Sequence, residues 1–353
     1  MGDPPTSPGS PSVNSAPRSE RSEVDTQYEV APGSGSASIH PDGADILVVG
    51  EALVDVVTRA DGSVDESPGG SPANVAVTLG RLGRAPRLLC SLGDDASGTT
   101  VREWLGSSQV RQIGGVATRT STATATLDRA GAARYGFDLC WEADFRAAGE
   151  PDLVHVGSIA AVLPPSAPDV ARLVDRCRGR ALVSVDPNIR PALVDEPVGV
   201  RARVESLIAR ADVVKASDDD MRWLHPGETP AEVARGWAAA GPALVVVTLG
   251  RDGAIAVFDD TELRIEGVPV DVVDTVGAGD TFMGALLDAL VEAGAVGSDA
   301  RGVLERLDAS MVCAALERAA RAAAITVGRA GADPPTRLEL DGPAPCPGRS
   351  GGA

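Results

Sequence analysis

The chain contains one lysine, Lys215, among 353 residues. A phosphate-binding P-loop needs Gly-Lys-Ser/Thr, so that backbone amides and an ammonium close on the same phosphates; Lys215 follows Val214, which excludes that class of nucleotide site. The three histidines, His40, His155 and His225, lie in neither HExxH nor HRD, which argues against a zinc hydrolase and a protein kinase. The five cysteines (Cys90, Cys140, Cys177, Cys313 and Cys346) are odd in number and form no CxxC pair. That pattern suits reduced thiols in a cytoplasmic protein better than a disulfide framework or a zinc site. No run of 18 apolar residues occurs, so no hydrophobic segment of membrane-spanning length is present. A formal net charge of -18 would repel nucleic acid and anionic membrane surfaces, and neither is expected as a partner. A phosphorylated ligand would therefore depend on local amides, a few cations and metal.

The most informative segment, Asp274 to Gly284, reads DTVGAGDTFMG. Gly277, Ala278 and Gly279 form a turn of small residues before an apolar helix, where converging N–H groups and the helix dipole make a seat for an anion. Asp280 in that seat is unfavourable beside a polyphosphate unless a metal screens it or it takes up a proton; the chemistry it suits is activation of a hydroxyl that attacks phosphorus. The plainer alternative is a strand-to-helix turn with an aspartate cap. The spacing GxGxxG is absent from 277 to 284, which weakens a nicotinamide-dependent oxidoreductase. Lys215 is a compact point charge suited to a phosphate oxygen or a carboxylate, the alternative being an ordinary charge at a strand end.

Residues 1–44 are nearly half Pro, Ser and Gly and read as a disordered tail, as do residues 341–353. Between them, continuous apolar runs at Ile46 to Gly50, Arg87 to Leu92, Leu153 to Val156, Ala181 to Val185, Asp212 to Lys215, Leu244 to Leu249 and Ala254 to Phe258 predict strands buried on both faces. The fold class is thus α/β, a mainly parallel sheet flanked by helices. Ser71-Pro72 reads as a cap and first helical turn, followed by Val75, Leu79 and Leu82 on one face, and a long helix is predicted through Val312 to Ala324. Residues 113–140, with alternating Thr and Ala and a turn at Ala130-Gly131, predict a hairpin that joins residues 53–70 in a small β-sheet lid. The Thr/Ala alternation at 121–126 would suit an edge that meets a second copy of the chain.

Two segments, GGSPANVAVTLGRLG (Gly69 to Gly83) and DTVGAGDTFMGALL (Asp274 to Leu287), together resemble the paired signatures of the ribokinase-like (PfkB) carbohydrate kinases. The resemblance covers residues 45–340 and is strongest to the bacterial fructokinases, through GEALVD, TRTSTA, HVGSIA, DPNIRP, VKASDDD and GADPPT. It implies a ribokinase-like domain with a β-sheet lid over the sugar, ATP with Mg2+ as phosphoryl donor, K+ as a monovalent activator, and a sugar hydroxymethyl, D-fructose at its 6-position, as acceptor. Asp280 matches the family's catalytic base, and Gly277, Ala278 and Gly279 match its anion hole. Asp55, Gly70 and Asn74 match sugar contacts, while Thr248, Gly250 and Gly253 match the nucleotide-phosphate loop, to which Gly279 and Lys215 would add. Asp274 matches a position at the monovalent-cation loop. Where the family often has Asn-x-x-Glu to support magnesium, this chain has Ser217-Asp218-Asp219-Asp220, which makes Asp220 the corresponding acid, one methylene shorter. In DPNIRP, Asn188 is open between a turn and a ligand role, and Arg190 between a phosphate and an acidic neighbour. Other acceptors of the same fold (2-keto-3-deoxygluconate, ribose, a nucleoside) remain alternatives, with a non-catalytic sugar or nucleotide sensor further away.

Overall fold

Apart from Gly2, the computed structural model describes residues 43–127 and 133–342. The expected tails lie almost wholly outside these residues, as does the Ala130-Gly131 turn. In chain order the strands are β1 (Ile46–Val49), β2 (Leu53–Thr58), β3 (Val64–Gly69), β4 (Arg87–Leu89), β5 (Leu92–Gly93), β6 (Arg111–Ile113), β7 (Val116–Ala117), β8 (Ser121–Leu127), β9 (Ala133–Asp138), β10 (Leu153–Gly157), β11 (Leu182–Asp186), β12 (Val213–Ser217), β13 (Leu244–Thr248), β14 (Ala254–Phe258) and β15 (Thr261–Ile265).

Nine of them form one sheet in the order β15-β14-β13-β12-β11-β10-β1-β4-β6. Its neighbours pair in parallel except at one edge, where β14 runs antiparallel to both β13 and β15. Helices cover both faces. Helices Ser71–Arg81, Ala278–Glu292 and Ala309–Val327 enclose one apolar core. Helices Ala167–Cys177, Pro197–Ile208 and Pro230–Ala240 enclose the other. Burial on both faces is what the continuous Val/Leu/Ile runs require. Alternate residues of one strand serve opposite cores: Val213 belongs to the first and Val214 to the second.

The predicted strand Arg87 to Leu92 is divided, with β4 in the main sheet and β5 paired with β7 in a two-stranded sheet. A separate four-stranded sheet has the order β3-β2-β8-β9. Here the Thr/Ala strand is not an edge: β8 pairs in parallel with β2 and antiparallel with β9, which leaves β3 and β9 outermost. Beyond Val54 no residue of β2 is fully buried, and Val64 of β3 is exposed, so this sheet is only partly covered. Cys90, Cys140, Cys177 and Cys313 are free thiols, and Cys346 lies outside the described residues.

Because the central strands are parallel, their C-terminal ends open on one side of the sheet, where α/β proteins bind ligands. Glu51 follows β1 there, Ser158 follows β10, Asn188 follows β11, Ser217 ends β12 and Thr248 ends β13.

Candidate active site

Helix Ser71–Arg81 begins one residue earlier than its sequence suggests. Gly70 is the cap residue, at φ 107, and Ser71 stands inside the helix rather than capping it. A side chain at Gly70 would also come within 2.5 Å of the Glu51 carbonyl oxygen, so glycine is needed for both conformation and space. The hydroxyl of Ser71 is thereby released for another purpose: it donates to Oδ1 of Asp280 at 2.7 Å. One turn on, Asn74 Nδ2 donates to Asp280 Oδ2 at 2.8 Å. Asn188, in the loop after β11, completes the cluster, its Nδ2 lying 2.6 Å from Ser71 Oγ and 3.3 Å from Asp280 Oδ1. Asp280 is buried and accepts from three side chains brought in from two other segments. Oδ1 of Asn74, also buried, has no partner among the described residues.

Asp280 lies in the first turn of helix Ala278–Glu292, capped by Gly277 in the left-handed region at φ 75. A Cβ at Gly277 would approach the Ala332 Cβ to 2.5 Å, so the turn has no room for a side chain. The N–H groups of a first helical turn have no acceptor inside the helix and face outward; that of Ala278 is partly engaged by Thr275 O at 3.3 Å. Asp274 ties this turn to the C-terminal loop, accepting the Val276 N–H on one oxygen and the Gly331 N–H on the other, each at 3.0 Å.

Lys215 lies behind the turn. It is 3% exposed, its ammonium is 2.6 Å from Asp186 Oδ2, and it reaches Gly279 O at 3.3 Å. Burial disfavours the ammonium, but the carboxylates of Asp186, Asp280 and Asp220 outweigh it and hold the lysine above its ordinary range. Asp220 accepts from Ile189 N at 2.7 Å and from the Ser217 amide and hydroxyl at 2.9 and 2.6 Å. It thereby closes a capping box on helix Asp218–Leu224 and anchors the loop that carries Asn188. Asp218 and Asp219 both pair with Arg222.

Asp55, on β2 of the small sheet, sits against Gly69, where a Cβ would come within 1.9 Å of Oδ2. Burial pushes its carboxyl up to about 6; Arg190 pulls it down and Asp280 pushes it further up. Glu51 is also raised by burial, with Ser158 and Arg190 drawing it back. His155 is no acid or base: burial, aided by the charge of Lys215, pushes it down to about 3, and Nδ1 lies 3.0 Å from Ser184 Oγ. Thr248, whose Cα is paired with that of Ser217, leads into a tight turn, Gly250–Asp252, closed by the Gly253 amide on Gly250 O and the Leu249 amide on Gly253 O. Hydrogen bonds thus gather Asp280 with Asn74, and Gly279 with Lys215; Thr248, Gly250 and Gly253 occupy the neighbouring strand end. A cavity of about 790 Å3 near Arg235, Phe258 and Leu304 contains none of these residues and belongs to the opposite end of β13.

A buried carboxylate in the first turn of a helix, held by donors and backed by a lysine, can accept a proton from an alcohol beside an anion seat. Residues 44–338 match the pfkB family carbohydrate kinases. The chain belongs to that family. As a family member, this kinase is a phosphotransferase with an alcohol group as acceptor. It is 33% identical over 259 residues to a fructokinase of Rhizobium leguminosarum bv. trifolii, covering 69% of this chain and 79% of that protein. Among solved structures it is similar to the fructokinase from Xylella fastidiosa with bound ATP (TM-score 0.75, 25% identity, 84% of this chain and 96% of that one). A fructokinase double mutant from Vibrio cholerae O395, bound to fructose, ADP and potassium ion, matches with TM-score 0.68 and 28% identity over 83% of this kinase and 95% of that chain.

The sequence points to neither Glu51 nor Asp186, gives Ser71 only the task of a helix cap, and leaves the roles of Asn188 and Arg190 open. Asn188 carried a usable signal, as one of only three asparagines in the chain. Ser71 carried none, because a serine before proline at a helix start reads as a cap.

Proposed function

We propose that the kinase transfers the γ-phosphoryl group of ATP to the 6-hydroxyl of D-fructose. The observation that carries this reading is the Asp280 carboxylate, fixed by Ser71, Asn74 and Asn188 at the start of helix Ala278–Glu292. All three neighbours donate, so Asp280 is kept as an acceptor and takes the proton of the attacking hydroxyl. The first-turn amides around Gly277, Ala278 and Gly279 face the charge that develops on the transferred group. Lys215, held behind Gly279, contributes its field rather than a direct contact.

The unpartnered Asn74 Oδ1 and the raised carboxyl of Asp55 supply the acceptors that a polyol needs, with Gly70 allowing its approach. Thr248, Gly250 and Gly253 form the turn on which the nucleotide phosphates lie. Among the described residues no group of three His, Cys, Asp or Glu could cage a metal. Magnesium suits such a site, because it keeps its waters and binds phosphates with one or two carboxylates. Asp220 would hold it through water, and the ion would neutralise phosphate charge. Asp274 joins the two loops beside which K+ would bind. The resemblance to a fructokinase with bound potassium supports that assignment.

The small sheet acts as the lid, and a second copy of the kinase would meet it at β3 or β9. Scattering that reports a monomer at assay concentration defeats the pairing. The cytoplasm is the proposed compartment. A screen of D-fructose, ribose, 2-keto-3-deoxygluconate and nucleosides with Mg-ATP and coupled ADP detection tests the acceptor; preference for any other sugar overturns the fructose assignment.

A further inference from the structure

We infer that Arg190 is a positioning residue: it fixes the amide of Asn188 and, through it, the carboxylate of Asp280. The inference rests on reading Asp280 as the base. Asn188 is one of the few non-glycine residues in the left-handed region, at φ 40, and its side chain stands between opposite charges. On one side, Arg190 Nη1 donates to Asn188 Oδ1 at 2.5 Å, and also reaches the carbonyl oxygens of Asn188 and Ile189 at 3.2 and 3.4 Å. On the other side, Asn188 Nδ2 meets Ser71 Oγ at 2.6 Å and Asp280 Oδ1 at 3.3 Å.

A guanidinium has only donors and an ionised carboxylate only acceptors. Each neighbour therefore dictates one end of the amide. The reversed amide would press its NH2 on the guanidinium and its oxygen on the carboxylate. Once the amide is set, the hydroxyl of Ser71 has one arrangement left: it accepts from Asn188 and donates to Asp280 at 2.7 Å. The result is a one-way chain, from Arg190 to Asn188 to Ser71 to Asp280, in which every donor points toward the base and each bond polarises the next.

Arg190 is suited to anchor such a chain because Nη1 is committed to its own loop and because Glu51 and Asp55 balance its charge; it draws both carboxyls down against the effect of burial. Without the guanidinium, only the 3.3 Å contact with Asp280 still orients the Asn188 amide, and the oxygen end that Arg190 held is released. The Ser71 hydroxyl can then turn away, and the base loses two of its three donors.

The test is a double-mutant cycle on the full chain with R190M, N188A and R190M/N188A, at saturating D-fructose and Mg-ATP, with R190K and D280N alongside. R190M is expected to lower kcat by about 10-fold to 10²-fold with KM for ATP unchanged. R190K, which still donates to Asn188 Oδ1, should recover most of that loss. The double variant should be no slower than N188A alone, because both changes break one chain. Losses that multiply, or an R190M that keeps kcat and raises only the sugar KM, overturn the inference and make Arg190 an independent or a direct sugar-binding group. If R190M does not fold by circular dichroism, R190A takes its place in the cycle. D280N separates the two levels: an active D280N removes the base itself, whereas an inactive D280N with multiplying losses removes only the role of Arg190.

Discussion

Replacing Asp280 with Asn should separate chemistry from folding, for a reason visible in the hydrogen bonds. Oδ1 accepts from Ser71 and Asn188, and Oδ2 accepts from Asn74. The amide oxygen of the variant can keep the two donors on the Oδ1 side, while its NH2 replaces Oδ2 and faces the Asn74 NH2. That conflict has a local remedy, since Asn74 Oδ1 is buried without a partner and a half-turn of the Asn74 amide presents it to the new donor. The half-turn only exchanges one unpaired buried atom of Asn74, Oδ1, for another, Nδ2, so the number of unpaired buried groups does not rise. The main loss is the exchange of charged hydrogen bonds for neutral ones, about 1 kcal/mol each. Relief from holding a carboxylate out of water offsets part of that, so the net destabilisation should stay near 2 kcal/mol or below. The loss of the base should cost about 10²-fold to 10⁴-fold in kcat, or roughly 3–5 kcal/mol of activation free energy. Coupled ADP release gives kcat, urea unfolding gives stability, and calorimetry gives nucleotide affinity, which should change little. Turnover within tenfold of the parent would refute the reasoning, as would an activity loss that merely follows loss of fold.

Asp55 should show opposite effects on sugar binding and stability. Its folded value of about 6 lies above the unfolded 3.8, so the folded protein binds this proton more tightly; the stabilisation is complete below about 3.8 and is lost as pH rises through about 6. D55N should therefore raise Tm at pH 7.5 and raise the sugar KM; an unaltered KM would remove Asp55 from the sugar. K215M strands the buried Asp186 carboxylate and should destabilise by about 3–5 kcal/mol in urea. A loss under about 1 kcal/mol would show that the pair is solvated. G277A should lower both Tm and kcat, because its left-handed backbone alone costs about 1–2 kcal/mol and Ala332 blocks the methyl group. Unchanged kcat with a lowered Tm would exclude the turn from the chemistry.

The strands legible in the sequence were those buried on both faces, because continuous Val, Leu and Ile runs such as Leu244–Thr248 leave no other placement. Two strands were missed for the converse reason. Arg111–Ile113 has three residues and none fully buried, and Thr261–Ile265 exposes its two charged side chains, Glu262 and Arg264, at the edge of the sheet. Asp280 and its turn were legible because a local run of residues makes that arrangement. Its partners were not, since Asn74, Asn188 and Asp280 come from three segments and only the β1-β10-β11-β12 order places them together. Ser71 was assigned to the wrong task because serine before proline is a cap far more often than a catalytic neighbour. Lys215 is conspicuous as the single lysine of the sequence, but only the packing shows that it stands behind the glycine turn.

Gly284 allows the two central helices to touch: a Cβ there would meet Thr78 Cβ at 2.6 Å and the Val75 carbonyl oxygen at 3.1 Å. With backbones this close, the segment bearing Asn74 and the segment bearing Asp280 travel together. The proposed proton acceptor, Asp280, is consequently assembled before any sugar arrives, and a stray water in the acceptor position would find it ready. Thrift with ATP cannot come from building the machinery only on demand; it has to come from where the γ-phosphorus rests while the acceptor position is empty.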